Sequence, residues 1–196
     1  MSHSAIIVLA AGEASRMHQI KQLLPYKSTT LLGHALTTAL STHVNTILCV
    51  LGAHSKTILE YGLPNNVIPI ENIHWKEGMG RSIAAALQYL NEELPTVNTV
   101  LFTLADQPLV TIDYLNRMLK TSQEHPSSLI ATNYGTSIGV PALFPKRYFE
   151  MIKSLQGETG AKSILKAHQR NVIALTPNFE NLDVDTPEAY QKILKL

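Results

Sequence analysis

The sequence lacks the features that mark several large protein classes. It holds one cysteine, Cys49, so no internal disulfide can form, and the apolar run around it (46–51) reads as a buried, inert thiol suited to a reducing compartment. Charged residues are only 16% of the chain, the formal net charge is +1, and no run of Lys and Arg exceeds two. Duplex binding needs a basic stripe, so no nucleic-acid partner is expected, and basic residues at a site would serve one small anion. Nowhere do ~18 apolar residues follow one another, and the first apolar run begins at Ala5 without a basic leader. No membrane partner is expected, and the chain reads as soluble and cytoplasmic. The eight histidines are dispersed, with no HExxH pattern and no second cysteine, which argues against structural zinc.

The 196 residues are 45% hydrophobic, enough for one substantial core, and a single domain over 1–196 is expected. Apolar runs of strand length fall at 5–9, 46–51, 67–70, 99–104, 129–132 and 142–144. Between them, helical periodicity predicts helices at 31–40, 54–61, 80–93, 112–124, 146–154, 161–168 and 187–194. Thr111 and Thr186 are N-caps, the latter followed by Pro187 and Glu188 in the first turn. The first four strand runs are continuously apolar, as strands of a parallel sheet covered on both faces must be. The expectation is an α/β fold: a three-layer, doubly wound, mostly parallel sheet. Ligands of such sheets sit beyond the carboxyl ends of the strands, so the informative residues should follow strands.

Two stretches do so. After the first strand, Ala10, Ala11 and Gly12 are too small to shield their backbone N–H groups, and Ser15, Arg16 and Lys21 add a hydroxyl and two cations. Close backbone donors, a forked guanidinium and a mobile ammonium form the set that a triphosphate needs. After the fourth strand, Asp106 stands at the same rim of the sheet, and Asp185, just before the last helix, can supply a second oxygen; Asp183 is a weaker candidate. Magnesium is satisfied by one or two protein carboxylates, with water and phosphate filling the other positions. A G-x-G-x-x-G fingerprint is absent, and Gly157-Glu-Thr-Gly-Ala-Lys-Ser163 lacks Walker spacing because Ala161 separates Gly160 from Lys162. His74 and Trp75, ahead of a glycine turn, read as packing and are left outside the site.

Leu9-Ala-Ala-Gly-Glu-Ala-Ser-Arg-Met17 with Lys21-Gln-Leu-Leu-Pro25, Gly78-Met-Gly-Arg-Ser82 and Leu104-Ala-Asp-Gln-Pro108 form a signature. It continues with Gly139-Val-Pro-Ala-Leu-Phe-Pro145, Gly157-Glu-Thr-Gly-Ala161 and Asp183-Val-Asp-Thr-Pro-Glu188. Over nearly its whole length the chain resembles the molybdenum-cofactor cytidylyltransferases, nucleotidyltransferases with a glycosyltransferase-A-like, Rossmann-like fold. The resemblance implies that Ala10, Ala11 and Gly12 contact the nucleotide, Arg16 and Lys21 its phosphates, and that Gly78, Met79 and Ser82 border the nucleoside. It makes Asp106 and Asp185 ligands of Mg2+. It assigns Gly139, Pro141, Gly157, Gly160 and Lys162 to the acceptor, a phosphorylated pterin cofactor. An Ala-Ala-Gly loop goes with CTP in this family, so Ala11 favours cytosine. Two positions depart from the pattern: His18 stands where the family has glycine, and Lys162 where it has arginine.

The expected reaction is transfer of CMP from CTP to the acceptor phosphate with release of pyrophosphate, the product passing to a molybdoenzyme or its chaperone. A phosphate nucleophile is already ionised at pH 7, so no general base is needed. One rival is a nucleotidyltransferase for a sugar phosphate or other small phosphorylated acceptor. A rival of another class is an idle carrier or chaperone module, against which the retention of Arg16, Lys21, Asp106 and Asp185 together speaks.

Overall fold

In a computed structural model, which describes residues 3–155, 157 and 160–196, seven strands form one mixed sheet. In chain order the elements begin with β1 (Ser4–Ala10), a two-stranded ribbon of β2 (Pro25–Tyr26) and β3 (Thr29–Thr30), and α1 (Leu31–Leu40). Then come β4 (Thr46–Leu51), α2 (Ser55–Tyr61), β5 (Val67–Glu71), α3 (Met79–Glu93), β6 (Thr99–Leu104) and α4 (Ile112–Glu124). The chain continues through β7 (Leu129–Asn133), β8 (Ile138–Pro145), α5 (Phe149–Lys153), α6 (Lys162–Ala167), β9 (Val172–Leu175) and α7 (Pro187–Ile193).

The sheet order is β5-β4-β1-β6-β8-β7-β9. The first four pair in parallel, β8 runs antiparallel to both neighbours, and β9 rejoins in parallel with β7. Strand order reverses at β1: the chain first winds outward through β4 and β5, then returns to lay β6 on the other side of β1. The carboxyl ends of β1 and β6 are therefore neighbours, and a crevice must open between the loops that leave them.

Alternation along β1 explains its unbroken hydrophobicity. Ala5, Ile7 and Leu9 enter a core shared with α3, α5 and α6, whereas Ile6, Val8 and Ala10 enter the core formed with α1, α2 and α4. Both faces are covered, so every position is apolar. In α3, Ile83, Ala86, Leu87 and Leu90 recur at helical spacing and are all buried; each of the larger ones contributes about 1.5–3 kcal/mol by leaving water. A third, smaller cluster of Met17, Leu24, Tyr26, Leu31, Val184 and Ile193 joins the N-terminal loop and the ribbon to α7 and the segment before it.

The expected caps are present: Thr111 Oγ1 accepts from the Tyr114 N–H, and Thr186 Oγ1 from that of Ala189. Pro69 lies in β5, an edge strand, where a missing ladder donor is tolerated. Two expectations need correction. The helix foreseen at 146–154 is a 3-10 turn (Lys146–Tyr148) running into α5, and neither the β2–β3 ribbon nor β9 was foreseen. β9 is a four-residue edge strand of partly exposed residues, too short and too weakly patterned to stand out. No helix among the described residues is long and apolar enough to cross a membrane.

Cys49 lies fully buried in the middle of β4, and burial pushes its thiol up to about 12. The folded chain therefore keeps the thiol protonated where the unfolded chain ionises it, so stability should fall as pH climbs from about 9 toward 12. At pH 8 a disulfide reagent should leave the native protein unmodified and label one thiol only after denaturant is added. Rapid labelling without denaturant would contradict this burial.

Candidate functional site

β1 ends at Ala10, and the chain then has to leave the sheet between two packed layers. Its loop is held by Gln22, a buried side chain whose Nε2 donates to the carbonyls of both Ala10 and Gly12, each at 2.9 Å. These carbonyls are thereby satisfied from behind the loop. The next turn is a short 3-10 helix, Ser15–Met17, flanked by Ala14 and His18 in the left-handed region, with φ of 56° and 53°. The conformation at His18 is one that glycine adopts freely and other residues only at about 1–2 kcal/mol. The loop thus keeps a glycine-type path without the glycine.

A second wall comes from the turn after β5. Asn72 is buried; its Nδ2 donates to Ser82 Oγ at 3.0 Å, and its Oδ1 accepts from the His74 N–H. Trp75 reaches the loop because Gly52 has no side chain. A Cβ there would lie 2.5 Å from the Ala11 carbonyl oxygen, 2.8 Å from the Ala11 Cβ and 2.7 Å from the Trp75 Cβ. Loop, glycine and indole stem are in contact at the limit of their radii.

The third wall carries the charges. Asp106 follows β6. The Val184 N–H donates to the Asp106 carbonyl at 2.9 Å, and the fully buried Val184 side chain anchors its segment in the third cluster. That docking brings Asp185 beside Asp106. Lys21 Nζ lies between them, 2.5 Å from Asp106 Oδ2 and 2.8 Å from Asp185 Oδ1, while Arg16 donates to Asp185 Oδ2 at 3.0 Å. Burial pushes the Asp106 carboxyl up against the opposing pull of Lys21, and the nearby Asp183 and Asp185 add to the rise. Burial alone would lower Lys21, but its two carboxylate partners raise it above the usual ammonium range. Asp185, which burial alone would raise, is held below the usual carboxylate range by Lys21 and Arg16.

These walls enclose a cleft of about 790 Å³ at the carboxyl ends of β1 and β6. It brings together Ala10, Ala11, Gly12, Ser15, Arg16 and Lys21 with Gly78, Met79 and Ser82, and with Asp106 and Asp185. Arg16 and Lys21, expected to face phosphates, here neutralise the two aspartates. Trp75 and Lys76 line the cleft as well, which corrects the placing of Trp75 outside it. Its neighbourhood depends on the bare Cα of Gly52 across the fold, which no local pattern reveals. Gln22 and Asn72 were also missed; as buried amides that hold loops from behind, they resemble any polar residue in a linear reading.

The five residues expected at the acceptor do not line this cleft. Pro141 is buried in β8 behind a cis Val140–Pro141 bond, and its carbonyl accepts from Thr132 Oγ1 at 2.7 Å. Gly139 lies in the same strand against the Tyr134 ring, and Lys162 is exposed at the start of α6. Gly157 and Gly160 border the rim: the Gly157 carbonyl accepts from the Gly80 N–H, and a Cβ on Gly160 would come 2.9 Å from Met79 Sδ. Glu158 and Thr159 of that motif are outside the described residues.

The donor chemistry fits a hard divalent cation. Asp106 Oδ1 is buried without a hydrogen-bond partner, and its neighbour across Lys21 is a second carboxylate. Two carboxylate oxygens suffice for an ion that completes its shell with water and phosphate. Among the described residues no group of three or more His, Cys, Asp or Glu gathers into a larger site.

A small-residue loop, two cations and two carboxylates at the switch point of a doubly wound sheet mark a nucleotidyltransferase. The chain belongs to the family of the MobA-like NTP transferase domain, whose model matches residues 6–172. It is similar to the purine catabolism protein PucB of Bacillus subtilis, 28% identical, covering 95% of this chain and 94% of that one. It is also similar to the molybdenum cofactor cytidylyltransferase of Escherichia coli, 26% identical, covering 97% and 95%. The crystal structure of Rv0371c from Mycobacterium tuberculosis in complex with manganese superposes with a TM-score of 0.81 at 25% identity, covering 100% of this chain and 99% of that one. A divalent metal is thus bound in a structural neighbour.

Gly52→Ala should force the Ala11 loop and Trp75 apart and cost about 1–3 kcal/mol of overpacking. Gln22→Leu leaves the Ala10 and Gly12 carbonyls without their donor, at a cost of similar size. Urea unfolding of each variant checks both values. A Gly52→Ala protein as stable as the parent would show that the contact is slack.

Proposed function

We propose that the chain is a magnesium-dependent cytidylyltransferase that transfers CMP from CTP to the phosphate of a molybdopterin-type cofactor and releases pyrophosphate. One observation carries the reading: Lys21 and Arg16 meet Asp106 and Asp185 in the cleft that the Ala10–Gly12 backbone borders. Ala11 borders the cleft, and in the cytidylyltransferases that the chain resembles an Ala-Ala-Gly loop goes with CTP, which favours cytosine. The similarity to the E. coli cytidylyltransferase supports the same choice.

The reaction needs one new bond, from an acceptor phosphate oxygen to the α-phosphorus, and breaks the bond from that phosphorus to the bridging oxygen of pyrophosphate. Asp106 and Asp185 would hold the divalent ion, which supplies Lewis-acid neutralisation of the α-phosphate oxygens. Arg16 and Lys21 exchange carboxylate for phosphate oxygens as the triphosphate enters and then stabilise the charge on the departing pyrophosphate. The loop N–H groups and Ser82, held by Asn72, orient the nucleotide. Positioning and charge neutralisation supply the catalysis, and no side chain has to accept a proton.

Purified protein should be offered each of the four nucleoside triphosphates with Mg2+ and molybdopterin, and pyrophosphate release followed. Turnover with CTP above the other three is expected, with Asp106→Ala folded and inactive. Equal turnover of all four, or none with CTP, sinks the cytidylyl reading; turnover only when a sugar 1-phosphate replaces the pterin makes the chain a sugar-phosphate nucleotidyltransferase. Lys21→Met should lower kcat by about 10²–10³-fold. The same change should tighten the binding of Mn2+ alone, because the carboxylates lose their resident cation.

A further inference from the structure

Asp185 belongs to a segment far from Asp106 in sequence; besides the burial of Val184 and the ion pairs at Asp185 itself, two hydrogen bonds tie that segment to the residues after β6. One is the backbone bond from Val184 to the Asp106 carbonyl already described. The other comes from Gln107, whose Nε2 donates to Asp183 Oδ1 at 2.9 Å. Gln107 is only 7% exposed, and its Oε1 is buried with no hydrogen-bond partner. A buried amide that satisfies part of its capacity is a poor device for stability: an apolar side chain of the same shape would fold as well or better. Asp183, by contrast, is exposed at the cleft. A partly unsatisfied buried group tied to an exposed one has to be explained by what it holds in place.

We propose that Gln107 and Asp183 are positioning residues for divalent-metal binding, acting as a clamp that sets Asp185 at its distance from Asp106. Asp183 serves as a hydrogen-bond acceptor and is not itself a metal ligand. The clamp fixes residues 106–107 and 183–185 as one unit, so that the two ligand oxygens meet an ion without first paying the entropy of ordering the segment. The inference rests on the reading of Asp106 and Asp185 as the metal ligands.

The test uses Mn2+ alone, titrated into the whole chain and followed by the electron paramagnetic resonance signal of the free ion, with thermal unfolding in parallel. Asp185→Asn should weaken binding by at least about 10-fold, and Gln107→Leu by about 10–100-fold, the size usual for outer-shell groups that orient a metal site. Gln107→Leu should keep or raise the unfolding midpoint, which separates positioning from stability. Asp183→Asn retains an oxygen that can accept from Gln107 and should bind Mn2+ within about threefold of the parent, whereas Asp183→Leu should match Gln107→Leu. If Gln107→Leu does not fold, Gln107→Glu substitutes for it: a carboxylate facing Asp183 should repel the segment and weaken binding to a similar degree. Parent-like Mn2+ binding in the folded Gln107 variant overturns the clamp. Loss in Asp183→Asn as large as in Asp185→Asn overturns it too, making Asp183 a ligand. An unchanged Asp185→Asn overturns the metal assignment underneath, and so is told apart from failure of the clamp alone.

Discussion

Three distant parts of the chain meet at the ammonium of Lys21. The lysine follows the first loop, Asp106 follows β6, and Asp185 comes from the approach to the last helix. Lys21 and Asp106 are largely buried and would each be costly there alone, and the more exposed Asp185 and Arg16 complete the compensation. The pull between burial and pairing is visible in the shifts: Asp106 rises because burial wins, while Asp185 falls because two cations outweigh it. A site held by exchangeable ion pairs suits chemistry in which a metal and a polyanion arrive together. In the proposed reaction incoming phosphates would offer the cations new partners and free the carboxylates for the ion.

That meeting requires the winding of the sheet. β1 and β6 lie side by side although four strands and three α-helices separate them along the chain, because the order reverses at β1. Everything that contacts the cleft is delivered by what leaves those strand ends, or by segments braced against them. Buried amides do much of the bracing: Gln22 holds the first loop, Asn72 holds Ser82, and Gln107 reaches Asp183. They share a logic, since a polar side chain inside the protein can grip a backbone or a neighbour that would otherwise need water.

The charge pattern also bears on the family. The chain belongs to the MobA-like NTP transferase group, and its two cations and two carboxylates are in contact with one another. His18, which stands where the resemblance expects glycine, takes the left-handed conformation that glycine adopts freely. The acceptor side differs in kind. Pro141 is engaged within the sheet and Lys162 faces solvent, away from the cleft.

Much of this was legible in the linear chain. Continuous apolar runs specified strands covered on both faces, threonine caps and Pro187 marked helix starts, and small residues after β1 announced a loop with an open backbone. These are local properties, written in periodicity and residue size, and they carry the fold class and the small-residue loop that lines the cleft. What sequence could not state is partnership across the fold. Nothing in the neighbours of Gly52 says that Trp75 and Ala11 converge on it, nothing near Lys21 says that two aspartates will occupy it before any phosphate does, and nothing in a half-exposed four-residue run announces β9. Those outcomes depend on which buried surfaces and charges meet once the layers close, and only the tertiary structure decides that, because desolvation and pairing act between residues that the chain itself keeps apart.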